Sequence, residues 1–492
     1  MAKNISALLH TKTLRFYSLE PFGEVVYAKT EDLIVPERLD ILARRLFAEQ
    51  LLGRNRSDFG EDLYYQLLDL QSHGFSECDP GKSKFIDYVD QFSALVSSFR
   101  RSGYDAEQSI IPCCHGVPVD GAHRIAAAHA VGIDRLPTIS VRGDVQRLND
   151  VFYRNIGLKE ESLRLLLLEL VKIKRNSRAA VFFPCAKRYW SGGMTLLNSN
   201  YRILGSFDLV LSKNGLYNLI NILYGDLDWW DDYQCRSFNK RRWRANVATR
   251  VVLFENDVSK DIQVVKDEIR SVMKCGNDSV HTTDFHHETI NLLRTVSTDA
   301  GLHYIKYKVN HLPSNFSAYL NSFRSRVADL GGNLDHYCVD YGGTLAIYGL
   351  RDTADLDYLQ IDGTVDIEDE PAKINLHNWK HRSHPTSINK IIDDPRFHIV
   401  VDGVKYVGMD LVSYIKSREF RAKDRDDLIR IAALGSFFPK VRFHTIAARR
   451  WLREAYSTGA SIAFIAAASL AKRIVPRKYH PRLRRLYINM RR

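Results

Sequence analysis

Two aspartates and a glycine pair in the C-terminal third of the chain have the types and spacing of a phosphate-handling site. Asp355 and Asp357 flank Leu356 in a predicted strand, and the two-residue period of a strand places both carboxylates on one face. Two such carboxylates can hold Mg²⁺, which takes few protein oxygens and completes its shell with water and substrate phosphates. Gly342 and Gly343 lack side chains, so backbone amides there could approach a phosphate closely.

An arginine and a downstream charged segment accompany these residues. Arg351 lies between the glycine pair and the aspartates, and its planar guanidinium could pair with a phosphate oxygen. Farther along, Lys416 on a predicted helix precedes the stretch RAKDRDD at residues 421–427. The run YGGTLAIYGLRDTADLDYL and this downstream block together resemble the minimal nucleotidyltransferase superfamily, particularly its abortive-infection and toxin-type branch. The resemblance covers about residues 310–435. Without that context, the aspartate pair would be interpreted as a solvated strand end.

The resemblance implies roles for individual residues. Asp355 and Asp357 would bind the catalytic Mg²⁺, and the phosphates of ATP or another nucleoside triphosphate would lie against the glycine pair. The candidate nucleotide-binding residues are Gly342, Gly343, Thr344, Arg351, Lys416 and Asp424. A third metal-binding carboxylate would come from a later strand, and the spacing leaves open Asp366, Glu368 and Asp369. The implied reaction is attack of an acceptor hydroxyl or phosphate on the α-phosphorus, with metal ions bridging the attacking and leaving oxygens.

A second phosphate signature lies near the N-terminus. Asp120 and Gly121 form a predicted turn between a strand and a helix, and His123 and Arg124 follow in the first helical turn. Amides at a helix N-terminus attract anions, and these two side chains add suitable donors. The segment VPVDGAHRIAAAHAVGIDRLPTISV resembles the ParB and sulfiredoxin superfamily, most closely the nucleotide-dependent free serine kinases. Ala122 stands where sulfiredoxins carry their reactive cysteine, which argues against that activity.

The resemblance leaves two roles for this first motif, a kinase and a nucleotide-dependent DNA clamp. The segment that follows contains NKRRWRANVATR but lacks two short helices joined by a glycine turn, so the kinase is favoured. In such kinases a catalytic carboxylate comes from the early helical region, where Glu37 and Asp40 are candidates. The structural alternative is that His123 and Arg124 only cap the helix and pair with neighbours.

Several α/β elements must position these motifs, so we expect a multidomain α/β (α+β) fold. Residues 1–150 predict a ParB/sulfiredoxin-like domain, 151–305 a connecting α/β domain, 306–438 a nucleotidyltransferase-like domain with a mixed sheet, and 439–492 a basic amphipathic helical tail. Within the first domain, residues 117–119 predict a strand and residues 125–131 an alanine-rich helix. In the third domain we expect two antiparallel strands around a turn at residues 349–354. A strand, an Asp402-Gly403 turn, a second strand and a helix follow.

The positive charge of the chain is concentrated in the tail. The net charge is +12, and residues 441–492 hold 13 basic residues and a single acidic one, so the other 440 residues are balanced at 57 against 57. Arginines alternate there with large apolar residues, which suits an anionic membrane surface. Nucleic acid is the competing partner for the same charges. The longest uncharged run, residues 455–471, is too short and too weakly apolar to predict a membrane span.

Other features carry less information. The seven cysteines are odd in number and irregularly spaced, and the N-terminus lacks a secretory signal pattern, so we expect a reducing, cytoplasmic location. The histidine-rich segment SVHTTDFHHE lacks the spacing of a metal motif, and its Asp284 is predicted to cap a helix. Trp229 and Trp230 are predicted to pack inside the fold, with stacking on a sugar or base as the alternative.

Together these patterns predict a membrane-associated cytoplasmic phosphotransferase, a kinase, a nucleotidyltransferase or both, that uses Mg²⁺ and a nucleoside triphosphate. A peripheral location on the inner face of the membrane would suit a glycan or lipid-linked acceptor and a role in surface-polysaccharide biosynthesis. Two rival functions stay open. One is a ParB-like DNA-associated protein switched by nucleotide, and the other is a toxin or defence nucleotidyltransferase.

Overall fold

Three separate β-sheets with surrounding helices make up the described part of the chain, which confirms the multidomain α/β (α+β) prediction. The computed structural model describes residues 20–72, 84–106, 109–143, 145–225, 227–256, 261–309, 312–381, 386–419 and 421–434. The chain divides into two units, Met1–Val412 and Ser413–Arg492. All three sheets belong to the first unit.

The first sheet has four strands in the order β1-β4-β2-β3. The strands are β1 Glu20–Lys29, β2 Ile111–Cys114, β3 Val117–Pro118 and β4 Arg135–Arg142, and the helices are α1 Asp40–Leu51, α2 Phe59–Gln71, α3 Phe85–Ser102, α4 Ala122–Val131 and α5 Asp150–Asn155. The predicted strand, turn and alanine-rich helix are confirmed, although α4 begins three residues earlier than expected. Gly121 and Gly132 flank α4 with φ angles of +85° and +95°, a left-handed conformation that glycine adopts without strain.

The second sheet is antiparallel with the order β6-β7-β5-β8. The strands are β5 Ser177–Phe182, β6 Arg202–Leu209, β7 Thr249–Glu255 and β8 Val280–Thr282, and the helices are α6 Glu160–Ile173, α7 Trp190–Asn200, α8 Lys213–Tyr224, α9 Asp232–Arg242, α10 Ile262–Met273, α11 His286–Val296 and α12 Asp299–Tyr307. Burial of large apolar side chains such as Phe182, Phe254 and Ile269 builds its core. Trp230 stacks on Tyr224 with a centroid separation of 4.9 Å, whereas Trp229 is 55% exposed, so the predicted packing holds for only one of the two tryptophans.

The third sheet is mixed and has five strands in the order β11-β10-β9-β13-β12. The strands are β9 Tyr337–Val339, β10 Leu356–Gln360, β11 Ile374–Leu376, β12 His398–Val401 and β13 Val404–Val407, and the helices are α13 Ser314–Asp329, α14 Tyr341–Ile347, α15 Ile388–Asp393 and α16 Met409–Glu419. The predicted β12, Asp402-Gly403 turn, β13 and α16 are confirmed. The two predicted antiparallel strands are present as β9 and β10, but their connection was predicted wrongly, because it contains the short helix α14 in addition to the turn at residues 349–354. A further helix, α17 Ala422–Ala433, lies in the second unit.

Ion pairs join the third sheet region to the first. The ammonium of Lys390 lies 2.7 Å from a carboxylate oxygen of Asp58, and the guanidinium of Arg396 lies 2.9 Å from Asp62. Arg396 also pairs at 2.6 Å with Asp394, whose side chain is completely buried. A buried carboxylate is costly unless it is paired. These contacts therefore fasten the start of α2 to α15 and to the segment between α15 and β12.

The basic tail at residues 439–492 lies outside the described residues. The predictions of a basic helix and of membrane-surface contact both rest on it. Among the helices that the structure does describe, none combines the length and the hydropathy needed to cross a bilayer.

Candidate functional site

Antiparallel pairing of β9 and β10 brings two aspartates to one edge of the third sheet. Tyr358 pairs with Val339, so Asp340, which follows β9, lies beside Asp357 near the start of β10. The amide of Asp340 donates a hydrogen bond to the carbonyl of Asp357 at 2.8 Å. Asp340 is completely buried and begins α14 as its N-cap residue, yet its carboxylate does not cap the helix. That carboxylate is directed to another partner.

The partner is His377, at the carboxyl end of β11. Parallel pairing sets Asn375 beside Asp357, and His377 follows two residues later on the same face. Its Nδ1 lies 3.1 Å from Oδ2 of Asp340, and its Nε2 lies 2.9 Å from Oδ1 of Asp357. A neutral imidazole has only one N–H, so donation to both carboxylates requires the doubly protonated ring. The geometry therefore favours an imidazolium between two carboxylates.

The electrostatics agree with this protonation state. Burial of the ring opposes its charge, but the hydrogen bonds to Asp340 and Asp357 outweigh that effect and raise the pKa of His377 to about 9. The ring is thus charged at neutral pH. It compensates the two carboxylates and fixes their separation.

One member of the aspartate pair predicted from the sequence, Asp357, belongs to this cluster. Asp355 immediately precedes β10, and both Asp355 and Asp357 are half-buried, whereas Leu356 between them is completely buried. His377 and Asn375 both contact Oδ1 of Asp357, the latter at 3.5 Å, which leaves Oδ2 without a hydrogen bond in the described part of the chain. The predicted alternation of burial is present, because a buried Leu356 separates the half-buried Asp355 and Asp357.

Hard oxygen donors of this kind suit Mg²⁺, which prefers carboxylates and keeps several ligands from water and phosphate. The described residues contain no group of three or more His, Cys, Asp or Glu side chains placed to hold a metal ion by themselves. An ion at Asp355 and Asp357 would therefore need water and substrate oxygens to complete its shell. The donor chemistry fits the ion on that condition.

The predicted third carboxylates occupy a turn instead of the cluster. Asp366 accepts a hydrogen bond from the hydroxyl of Tyr358 at 2.8 Å, Glu368 accepts one from the amide of Leu376 at 3.3 Å, and Asp369 accepts one from the amide of Ala372 at 3.2 Å. All three stabilise the connection between β10 and β11. The carboxylate that joins the cluster is Asp340, which the sequence prediction missed although it precedes the glycine pair by only two residues.

The glycine pair lies in the first turn of α14, and close packing requires a glycine only at Gly343. A Cβ at Gly343 would fall well inside contact distance of Cγ1 of Val339, whereas one at Gly342 would meet only Cγ2 of Thr353 at 3.5 Å. The amide of Gly343 donates to the carbonyl of Asp340 at 3.0 Å. Thr344 is buried, and its hydroxyl donates to the carbonyl of Val407 at 2.8 Å. Gly343 and Thr344 therefore fasten α14 to the sheet and do not present these groups to a ligand.

Arg351 lies half-buried in the loop between α14 and β10. Its NH1 donates to the carbonyl of Asp352 at 2.9 Å. The side chain of Asp352 in turn accepts hydrogen bonds from the amides of Phe316 at 3.2 Å and Thr353 at 2.8 Å. The loop that carries Arg351 to the start of β10 is thus tied down by Asp352.

Lys416 and Asp424 contact each other within the second unit. The ammonium of Lys416 lies 3.2 Å from Asp424 and 2.7 Å from Asp427, and all three side chains are buried. Burial of Asp424 opposes its charge, but hydrogen bonds from Arg421 and Lys416 lower its pKa below the ordinary value. The spacing that marked these residues as ligands of a nucleotide therefore corresponds to a buried ion-pair cluster. In this structure Lys416 is not presented to a phosphate.

The N-terminal motif forms a second polar cluster at the start of α4. Asp120 accepts a hydrogen bond from the amide of Gly121 at 2.6 Å and pairs with Arg124 at 3.3 Å. Arg124 also donates to the hydroxyl of Ser109 and to the carbonyl of Ile110, the latter at 3.3 Å. Both side chains remain partly exposed, Asp120 at 32% and Arg124 at 19%. The motif thus combines an accessible guanidinium with the first turn of a ten-residue helix.

His123 points from α4 toward α1 and α2. Its Nε2 lies 2.8 Å from the hydroxyl of Tyr64 and 3.2 Å from Nε of Arg44. Because the Nε–H of an arginine always donates, Nε2 must accept, which assigns the ring proton to Nδ1 of a neutral imidazole. Arg44 also donates to Oδ2 of Asp40 at 3.1 Å.

Asp40 is held by two arginines. Arg38 donates to both of its carboxylate oxygens at 2.9 Å. Although burial of Asp40 would raise its pKa, Arg38 and Arg44 lower it to about 2. A carboxylate so strongly held in its charged form is a poor general base, so the structure argues against Asp40 in that role. The other candidate, Glu37, pairs with Arg202 at 3.0 Å.

The histidine-rich segment of the second sheet region forms separate contacts. Burial, together with the nearby Lys266, lowers the pKa of His281 to about 3, so this ring is neutral. His286 contacts the hydroxyl of Ser177 at 3.1 Å. Asp284 pairs with Lys266. Asp284 was predicted to be the N-cap of α11, but that position belongs to the next residue, and Glu288 reaches back to the amide of Asp284 at 2.6 Å.

The chain matches no family model, no curated protein and no solved structure. Two polar clusters within Met1–Val412 hold side chains that could carry out chemistry. The carboxylate–imidazolium cluster, defined by Asp340, Asp357 and His377, lies at the edge of the third sheet. The arginine–carboxylate cluster, defined by Arg38, Asp40 and Arg44 with His123, lies beneath the start of α4.

Proposed function

We propose that the protein is a Mg²⁺-dependent nucleotidyltransferase whose active site is the carboxylate–imidazolium cluster with Asp355. The observation that carries the proposal is the convergence of Asp340, Asp357 and His377 at one sheet edge, next to a half-buried Asp355. The resemblance of residues 341–359 to nucleotidyltransferases also supports the proposal, because that resemblance includes β10, the strand that carries Asp357. ATP or another nucleoside triphosphate is the donor.

Each side chain of the cluster has a task in this reaction. Asp355 and Asp357 would hold Mg²⁺, which neutralises phosphate charge when bound. His377 is a positioning residue, since its two N–H groups fix the carboxylates of Asp340 and Asp357. The acceptor oxygen forms a bond to the α-phosphorus, the bond to the pyrophosphate oxygen breaks, and the acceptor proton passes to a carboxylate of the site.

Transfer from ATP labelled at the α position, compared with ATP labelled at the γ position, tests this proposal. The full chain is supplied with Mg²⁺ and an extract of candidate acceptors. We expect label from the α position, at least about 100-fold reduced in Asp357→Asn, because a metal site that loses one of two carboxylates loses half of its negative charge and one of its two protein ligands. Asp362→Asn removes an exposed carboxylate after β10 and is the matched control. Transfer of α label at the wild-type rate by Asp357→Asn would refute the proposal.

We propose a lipid-linked glycan on the cytoplasmic face of a membrane as the acceptor. The concentration of charge in residues 441–492 supports a location at an anionic surface, because each cation near the headgroups adds about 1 kcal/mol of binding free energy. Sedimentation of the full chain with vesicles that contain or lack anionic lipid tests the location. Binding to anionic vesicles that survives an excess of DNA supports it, whereas preferential binding to DNA favours the nucleic-acid alternative.

A second candidate activity is phosphoryl transfer by the N-terminal motif. The specific observation in its favour is the accessible Arg124 at the start of α4, above a fixed network of Arg38, Asp40 and Arg44. In this case label would arrive from the γ position. Arg124→Ala would abolish that transfer, and Asp357→Asn would leave it unchanged.

A further inference from the structure

A large exposed aromatic ring lies beside the carboxylate–imidazolium cluster. Trp379 is 62% exposed, more than any other tryptophan in the described residues. Its ring centroid lies 6.2 Å from that of His377, at an angle of 73° between the ring planes. His377 is thus the shared neighbour of the indole and of Asp357. A single side chain separates the aromatic ring from the proposed metal-binding carboxylate.

The backbone next to Trp379 is anchored to the strand that carries Asp357. The amide of His377 donates to the carbonyl of Tyr358 at 2.8 Å. The side chain of Asn378 binds the backbone of Gln360 in both directions, accepting from its amide at 3.0 Å and donating to its carbonyl at 2.9 Å. Trp379 follows in the short 3-10 helix Asn378–His381. These contacts anchor the backbone next to Trp379, and the ring itself is largely exposed.

Other aromatic rings of the third sheet are buried in the core instead of exposed. Tyr337 and Tyr358 are fully buried and pack against Phe323 at centroid separations of 6.1 and 5.9 Å. Burial of such rings contributes strongly to stability, so an anchored but exposed tryptophan forgoes that contribution. Exposed aromatic side chains are the groups on which proteins that bind single-stranded nucleic acid stack the bases.

We propose that Trp379 is the platform on which the base of the nucleoside triphosphate stacks, while the phosphates lie toward Asp355 and Asp357; this inference rests on the proposed function. A nucleotide carries a flat π-face and a polyanion in one molecule, and the site offers an aromatic ring next to carboxylates suited to a divalent cation. Every base has such a face, and the larger purines present more of it. The platform therefore favours purine nucleotides over pyrimidine nucleotides.

Calorimetric titration of the full chain with Mg²⁺ and either ATP or inorganic tripolyphosphate tests this platform. Tripolyphosphate is the probe that lacks a base. We expect Trp379→Ala to weaken ATP binding by about tenfold, within the range measured for loss of one base–aromatic stack, and to leave tripolyphosphate affinity unchanged. Trp379→Phe keeps a ring and should stay within about threefold of wild type. Trp229→Ala removes another exposed tryptophan, on the second sheet region, and should change neither affinity.

Other outcomes would overturn the inference in distinguishable ways. Equal weakening of ATP and tripolyphosphate binding by Trp379→Ala would show that the ring only supports the site. Unchanged ATP binding in Trp379→Ala, together with a loss in Asp357→Asn, would overturn the platform and leave the proposed function standing. If neither variant changes ATP binding, or if the wild-type chain binds no ATP, both the platform and the proposed site fail.

Discussion

Replacement of His377 by glutamine is expected to remove a pH-dependent part of the stability of the third sheet. The glutamine can donate only from its amide nitrogen and carries no charge, so the carboxylates of Asp340 and Asp357 are left facing each other without compensation. Two like charges at a partly buried site repel, and each also loses an ionic hydrogen bond. The perturbation therefore acts on the electrostatics of the cluster with little change in volume.

The magnitude follows from the pKa of His377. A rise from 6.5 to about 9 corresponds to about 3 kcal/mol at 1.36 kcal/mol per unit. Asp357 is 21% exposed, and water screens its charge, so we expect about 2 kcal/mol. Because the folded-state pKa lies above the ordinary value, the stabilisation is complete below pH 6.5 and is lost as the pH rises through about 9. Wild type and variant should thus differ most at pH 6 and converge near pH 10.

Amide hydrogen exchange measures this difference locally, which matters because a multidomain chain does not unfold in one step. Protection of β9 and β10 is compared between wild type and His377→Gln at each pH, so the intrinsic exchange rate cancels. About 2 kcal/mol corresponds to roughly 30-fold faster exchange at pH 6 if opening of the sheet limits exchange. His336→Gln, at an exposed histidine just before β9, is the control and should show no such difference. A difference that stays constant from pH 6 to pH 10 would refute a charged ring between the carboxylates.

Three further predictions concern stability. Gly343→Ala should destabilise the sheet by about 2 kcal/mol because α14 must shift away from β9, and Gly342→Ala should cost less than about 1 kcal/mol; urea unfolding of both variants measures the contrast. Arg396→Met should cost about 3 kcal/mol because it leaves the buried carboxylate of Asp394 unpaired, and thermal unfolding that matches wild type would contradict this. Asp40→Asn should be less stable than wild type by at least about 2 kcal/mol at pH 7. Because the pKa of Asp40 is depressed to about 2, the gap should close as the pH falls from 4 toward 2, which acid titration followed by circular dichroism would show.

Local signals in the sequence predicted local structure well. Glycines at the ends of α4 and the Asp402-Gly403 turn mark positions where the backbone takes a positive φ, and the structure has these elements in place. The helix α14 was missed because GGTLAIYG is a short apolar run with three glycines. Such a run has no period that separates a buried helix from a strand.

The candidate site was only partly predictable because its members meet through strand pairing. Asp355 and Asp357 stand out by their spacing, but His377 joins them through the parallel pairing of β10 with β11, and nothing near His377 in the sequence signals that register. Asp340 carries a weak signal as a polar residue between a strand and a helix. Lys416 was identified from its motif, but its ion pairs with the buried Asp424 and Asp427 determine its role.

The ion pairs between α2 and the segment after α15 set an order of events during synthesis. Asp58 and Lys390 are 332 residues apart, so at 5–20 residues per second the ribosome needs about 20–60 s to make the partner after the aspartate. Until then the start of α2 must either fold without its cationic partners or remain unfolded. A nascent chain interrupted before Lys390 cannot fasten its N-terminal region in this way. The ion pairs that join the two regions therefore make the complete folding of the N-terminal region depend on synthesis of the chain as far as Lys390.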